Sequence, residues 1–270
     1  MAAYKAELYG DAVLPLQNVL KDNPTHIPAK QLLGLSYFMT ENYAAASDAL
    51  SAVIAARPNE ASLYYPLAIS LVKLGKKDEA DRTVRQMISV GGNSPQVHIV
   101  VGEAYYEQGD TAKALDELKT ASTVDSKVPL AHYYAGQILI KLGKFDEAAR
   151  EFESELAISP NDTRTKYHLA FVLLAAQKTE QGVKLMKEVI ALKPDYAEAY
   201  YELGKVLLQQ GDIKGAVASL ETAARLKPVQ SYVHYQLGRA YIAAGRKTEG
   251  EDQLELSRQL KEKERSQTTP

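Results

Sequence analysis

Three of the five histidines, His98, His132 and His234, are the side chains best suited to hold a metal or move a proton. They fall at multiples of one interval, 34 residues, which puts each on a separate helix, so they do not converge on one ion. The chain has no cysteine, which removes thiolate zinc ligands, disulfides and a thiol nucleophile. Neither a phosphate-cradling glycine loop nor a nucleophile elbow is present. What does recur is suited to recognition. Tyr65, Tyr133, Tyr167, Tyr201 and Tyr235 stand at the same interval or twice it. Each offers a flat apolar ring and a hydroxyl that pairs with a peptide backbone, at little cost in side-chain freedom. The expectation is a binding surface with no catalytic, metal or cofactor residues.

The elements that carry these tyrosines follow from the interval. Gly34, Ala68, Gly102, Gly136, Ala170, Gly204 and Gly238 are each 34 residues after the last, with no insertion or deletion between them. One position before each is apolar, and sixteen after each comes a bulky apolar residue: Leu50, Val84, Leu118, Phe152, Met186, Leu220 and Leu254. Within each segment apolar residues recur at i, i+3, i+4 and i+7, the period of an amphipathic helix. Gly75, Gly109, Gly143, Gly211 and Gly245 interrupt that pattern where a left-handed helix cap is needed. Each segment therefore predicts a helix, a tight turn and a second helix. The small residue half-way along the first helix predicts close approach of the second.

Pro58, Pro160, Pro194 and Pro228 close four of the segments. The whole pattern resembles the tetratricopeptide repeat: aromatic-x-x-Leu-Gly-x-x-Tyr, then Ala, then a bulky residue, then Pro. Its fullest copy is residues 197–230, and the resemblance runs from residue 27 to about 262. It implies an all-α, right-handed superhelical solenoid of helix-turn-helix units. The units would be 27–60, 61–94, 95–128, 129–162, 163–196, 197–230 and 231–264. They would be preceded by an incomplete repeat over 1–26, represented by its second helix alone, and followed by a polar tail over 265–270, disordered from residue 266.

In the family the first helices line a concave groove, and ligand contacts come from positions 2, 5, 9 and 12 of each unit. Carried onto this sequence, that implies a groove of Leu35, Phe38, Tyr65, Ile69, Val72, Tyr106, Tyr133, Gln137, Tyr167, Phe171, Tyr201, Lys205, Tyr235 and Arg239. Its N-terminal third is apolar, whereas Lys205 and Arg239 interleave with tyrosine near the other end. A bound segment would then direct an acidic group toward the last repeats, unless Glu198 and Glu202 neutralise those cations. Two specialisations of the family are absent. Gln31 and Leu35 stand where the chaperone-tail clamps carry Lys and Asn, and Leu32, Pro66 and Val100 stand where glycosyltransferase repeats carry an asparagine ladder. The three histidines fall at position 4, where the family packs an aromatic ring between helices.

Composition sets outer bounds. A net charge of −2 and an isoelectric point near 6.3 argue against nucleic acid or an anionic membrane as partner. The longest apolar run, Leu169 to Ala176, is too short to span a bilayer, and no signal-peptide pattern opens the chain. The cytoplasm is expected, or the periplasm if a leader was removed. In the first helix, Asp11 is expected as N-cap, with Pro15 about four residues inside. The apolar Ala12, Val13 and Leu16 there either face the next repeat or await cover from a missing segment or a second copy of the chain, giving a homo-oligomer. Gly91-Gly92 is either a flexible junction or a glycine-capped helix end. Glu155, where the repeat wants Ala, is expected to reach solvent, the other reading being a buried partner such as Lys141 or His132. The function this predicts is a non-catalytic scaffold that binds a peptide or helix of a partner protein. Alternatives are the regulatory or docking region of a larger enzyme or sensor, and a self-associating module.

Overall fold

A computed structural model describes residues 8–268. They form fifteen α-helices and no strand among the described residues. The chain divides into two compact units within α8, between Ile138 and Leu139. The first holds α1 (Tyr9–Asp22), α2 (Ile27–Met39), α3 (Tyr43–Ala56), α4 (Tyr64–Lys73), α5 (Lys77–Gly91), α6 (Pro95–Glu107), α7 (Thr111–Val124) and most of α8 (Ala131–Lys141). The second holds α9 (Phe145–Ile158), α10 (Thr163–Ala175), α11 (Thr179–Leu192), α12 (Ala197–Gln210), α13 (Ile213–Leu226), α14 (Ser231–Ala243) and α15 (Lys247–Thr268). A single 3₁₀ turn, Ala61–Leu63, leads into α4 and places Pro66 in the first turn, where its missing N–H costs nothing.

Consecutive helices pack as hairpins, α2 on α3, α4 on α5, α6 on α7, α10 on α11, α12 on α13 and α14 on α15. Each hairpin closes on the pair of positions picked out by the 34-residue interval. A Cβ built on Gly34, Gly102, Gly204 or Gly238 would lie 3.0, 2.9, 2.6 or 2.8 Å from Cγ of Leu50, Leu118, Leu220 or Leu254 respectively. Those leucines sit sixteen residues on, across the hairpin. Where the first helix carries alanine instead, the facing residue differs. Ala68 is paired in sequence with the smaller Val84, and Ala170 with the unbranched Met186, all four buried at 2% exposure or less. Val84 offsets the extra methyl group of Ala68 by its smaller size, whereas Met186 is as large as leucine and differs from it in lacking a branch.

The turns between the two helices follow the same logic. Gly75, Gly109, Gly143, Gly211 and Gly245 all have φ between 72° and 82°. The two units without glycine there adopt the same conformation at a cost, with Glu41 at φ 60° and Gln177 at φ 61°. Second helices start on side-chain caps where the sequence supplies one: Asn42, Asp110 and Asp212 accept from the N–H of Ala45, Lys113 and Gly215.

Several expectations are settled here. Ala12 and Leu16 of α1 are buried against Ala29 and Leu33 of α2, with Val13 at the margin, and Gln17 donates to the Tyr37 hydroxyl at 2.7 Å. The opposite side of α1 carries the exposed Leu14. Asp11 is not the cap: the helix begins two residues earlier, so Pro15 lies at its seventh residue and the helix still continues to Asp22. The Gly91-Gly92 segment is a capped helix end, with Gly92 at φ 65° and its N–H on the Ile88 carbonyl. Gly91 is there for space, because Val97 Cγ2 lies 2.4 Å from where its Cβ would be. Glu155 does not reach solvent; it is 1% exposed, at a register shared by the buried Val53, Met87, Ala121, Val189 and Ala223. The tail expected to be disordered from residue 266 is helical through Thr268, as α15 continues on a run of residues with high helix propensity. The first seven residues of the incomplete repeat, and residues 269–270, lie outside the described residues.

Two stability changes follow. Gly204→Ala should lower the free energy of unfolding in urea by about 1–3 kcal/mol, and adding Leu220→Val should recover part of the loss. Glu41→Gly and Gln177→Gly should each raise it by about 0.5–1 kcal/mol, because glycine relieves the left-handed backbone. A loss of stability in both glycine variants would contradict the strain.

Candidate partner-binding surface

Successive first helices touch one another within each unit, α2 with α4, α4 with α6, and α12 with α14. The face they share carries the residues picked out by register. In the first unit Leu35 and Phe38 come from α2, Tyr65, Ile69 and Val72 from α4, Tyr106 from α6, and Tyr133 and Gln137 from α8. Phe38 meets Tyr65 edge-on, with ring centroids 6.4 Å apart. Ile69 and Tyr133 are buried, at 5% and 7%. Gln137 donates from its side-chain amide to the Tyr133 hydroxyl at 2.9 Å. Leu35, Phe38 and Val72 are half-buried against the hairpin core.

Tyr65, Tyr106 and Gln137 come together with Glu103, Glu107 and Tyr134 around a recess of about 170 Å³. A second recess of about 300 Å³, lined by Ser62, Met87, Gln96, Val97 and Val100, shares Tyr65 as a wall. Glu107 is engaged by Lys73, Nζ to Oε2 2.7 Å. Burial and the two nearby carboxylates push the Tyr65 phenol up from 10.0 to about 12.

In the second unit Tyr167 and Phe171 lie on α10, Tyr201 and Lys205 on α12, and Tyr235 and Arg239 on α14. Tyr167 stacks on Tyr196 at 5.1 Å, and burial raises its phenol well above the ordinary tyrosine range. Tyr201 meets Tyr232 edge-on at 4.9 Å. The Lys205 ammonium lies over the Tyr201 ring at 5.4 Å and is also 2.5 Å from a Glu202 carboxylate oxygen. Glu198 pairs with Lys227 rather than with either groove cation. Arg239 sits 5.9 Å from the Tyr235 ring centroid, donates to Gln236 at 3.3 Å and is exposed, as is Tyr235 at 49%. Lys205 is thus neutralised locally, while among the described residues no carboxylate pairs with Arg239. Glu103, Tyr134 and Tyr232 belong to these surfaces but were missing from the register set. Tyr232 falls at position 2, one of the family's contact positions, and that was the signal for it.

His98 and His234 are held in hydrogen bonds within the repeat framework. His98 joins Glu117 through Nδ1 at 2.6 Å and Asn93 through Nε2 at 2.8 Å. His234 meets the Gln253 side-chain amide at 2.7 Å and donates from Nε2 to the Pro228 carbonyl at 2.8 Å. Tyr64, at the same register, donates to the Pro58 carbonyl at 2.7 Å. At Tyr64, His98 and His234 position 4 thus ties a first helix back to the end of the preceding repeat, whereas Lys166 at that position pairs with Glu188 of its own repeat. Among the described residues no cluster of three or more His, Cys, Asp or Glu has the arrangement to hold a metal ion, and no helix is long and apolar enough to cross a membrane.

Stacked hairpins presenting aromatic first-helix faces define a protein-interaction scaffold of the helical-repeat class. Two family models, each described as tetratricopeptide repeat, match the chain. One matches residues 32–84, 65–122 and 101–163, and the other 141–203, 173–235 and 207–266. The chain belongs to the tetratricopeptide repeat family, whose fold is in general a non-catalytic interaction module. The BBSome complex member BBS4 of Xenopus tropicalis is 30% identical over 117 residues, 43% of this chain; the match spans 23% of that protein's length. Among solved structures, MamA residues 41 to end from Desulfovibrio magneticus RS-1 is similar with a TM-score of 0.56 and 25% identity, covering 66% of this chain and 99% of that one. YrrB, described as a TPR protein with an unusual peptide-binding site, is similar with a TM-score of 0.56 and 18% identity, covering 66% of this chain and 91% of that one.

The raised phenol of Tyr65 has a pH consequence. In the unfolded chain it loses its proton near its ordinary value, while the folded protein holds it to about 12. Its contribution is therefore complete below pH 10 and is lost as pH rises from there through about 12. Urea unfolding measured across this range should show falling stability, and Tyr65→Phe should flatten part of the fall.

Proposed function

We propose that the protein is a non-catalytic scaffold that binds an extended or helical segment of a partner protein along the first helices of its repeats. The observation that carries this is the surface of α14, where Tyr232, Tyr235 and Ile242 are 41%, 49% and 44% exposed beside the exposed Arg239. Large apolar and aromatic side chains held in solvent by a rigid helix are characteristic of a docking face. A groove fixed by hairpin packing lowers the ordering cost of binding. The descriptions of YrrB as having a peptide-binding site and of BBS4 as a member of a complex support the same reading. Arg239, free of a carboxylate where Lys205 is not, marks the place where an acidic group of the segment would sit.

Affinity capture from the source cell tests this. Tyr201→Ala with Tyr235→Ala should weaken capture by about tenfold or more, and Lys205→Glu with Arg239→Glu should weaken it at least as much. Unchanged capture by both double variants would count against the groove. Self-association is a second reading, favoured by the exposed Leu8, Leu14 and Val19 on or beside α1. Light scattering at several concentrations, with Leu14→Glu as the control that should abolish any dimer, separates it from partner binding.

A further inference from the structure

The recess between α4, α6 and α8 has a chemistry that the repeat itself does not require. Glu103 stands at position 9, and the same register elsewhere holds Leu35, Ile69, Gln137, Phe171, Lys205 and Arg239. Apolar, neutral and cationic side chains all serve there, so a carboxylate is not a demand of the fold. Its surroundings make it costly. Glu103 is half-buried, its one recorded polar partner is the Tyr134 side chain, and among the described residues no cation comes within salt-bridge distance of it. The nearest acidic neighbour, Glu107, already has Lys73. Burial accordingly raises the proton affinity of Glu103, with the charge of Glu107 adding to it. A partly desolvated carboxylate without a counter-ion is an unfavourable arrangement that an incoming cation relieves.

The walls suit such a cation. Tyr65, Tyr106 and Tyr134 border the recess, and aromatic faces attract ammonium and guanidinium groups. The volume of about 170 Å³ admits the end of one long side chain and little more. On the other side of Tyr65 the 300 Å³ recess is lined mainly by Met87, Val97 and Val100, which suits an adjacent apolar side chain. In the second unit the residue at this register on α12 is Lys205, which already pairs with Glu202.

We propose that the recess formed by Tyr65, Glu103, Tyr106 and Tyr134 is a subsite for a lysine or arginine side chain of the bound segment. Its biological sense rests on the groove reading above, but its test does not. The probe is N-acetyl-arginine amide, with N-acetyl-citrulline amide as a neutral control of nearly equal shape, titrated to tens of millimolar into protein carrying labelled tyrosine rings. Arginine amide should shift the NMR signals of Tyr65, Tyr106 and Tyr134 saturably, and citrulline amide should not. Glu103→Gln, which keeps the side-chain shape, should weaken arginine binding by about tenfold with an unchanged circular dichroism spectrum. Tyr106→Leu should weaken it less, through loss of one ring. The proposal is overturned if arginine and citrulline bind alike, if no tyrosine signal responds, or if Glu103→Gln binds arginine as the parent does. Because no partner protein enters the experiment, a failed capture leaves this result standing, and a failed titration leaves the groove reading standing.

Discussion

One close contact governs this protein: the second helix of each hairpin lies so near the first that the crossing point has no room for a side chain beyond Cα or Cβ. Leucine Cγ atoms stand 2.6–3.0 Å from the positions a methyl group would take at four glycines. Protein interiors are packed to crystal-like density, so a methyl group added at that crossing has to be met by a neighbour of another size or shape. Ala68 with Val84 and Ala170 with Met186 occupy the same two registers, and all four are fully buried. The hairpin geometry that follows places first helices beside one another and leaves one face of each available. The aromatic surfaces are a consequence of that arrangement.

Much of this was legible in the sequence because the crossing imposes a period. Small residues at one register, bulky ones sixteen later and glycine in the turn identify the hairpins without coordinates. Register alone did not separate the buried residues of the expected groove from the exposed ones. Tyr133 and Tyr235 share position 5, yet one is 7% exposed and the other 49%, because what covers a ring depends on the neighbouring helices. The same reason hid Glu103, whose significance comes from the partner it lacks and from tyrosines on two other helices. Glu155 was misjudged by treating a carboxylate as a surface residue; its register is interior in the other repeats. The glycine turns were visible, but not that Glu41 and Gln177 adopt the same left-handed backbone, since only hydrogen-bonded geometry compels it.

The two units handle charge differently. Around α6 a carboxylate sits among tyrosine rings, while on α12 and α14 cations lie over tyrosine rings, one of them already matched by Glu202. Aromatic rings flank the charge in both, and the residue at position 9 differs in sign, Glu103 in one and Lys205 and Arg239 in the other. On the proposed reading, specificity would lie in a few variable positions on a surface otherwise dictated by packing.

The locking pair of each hairpin lies wholly inside one copy of the motif, whereas the tethers from Tyr64 to Pro58 and from His234 to Pro228 reach back over a boundary. A duplicated or excised block of 34 residues therefore carries its own closure with it and only has to find a backward anchor at its new junction. Length in this architecture is free to change in whole modules, and a fractional step would separate each glycine from the leucine that answers it.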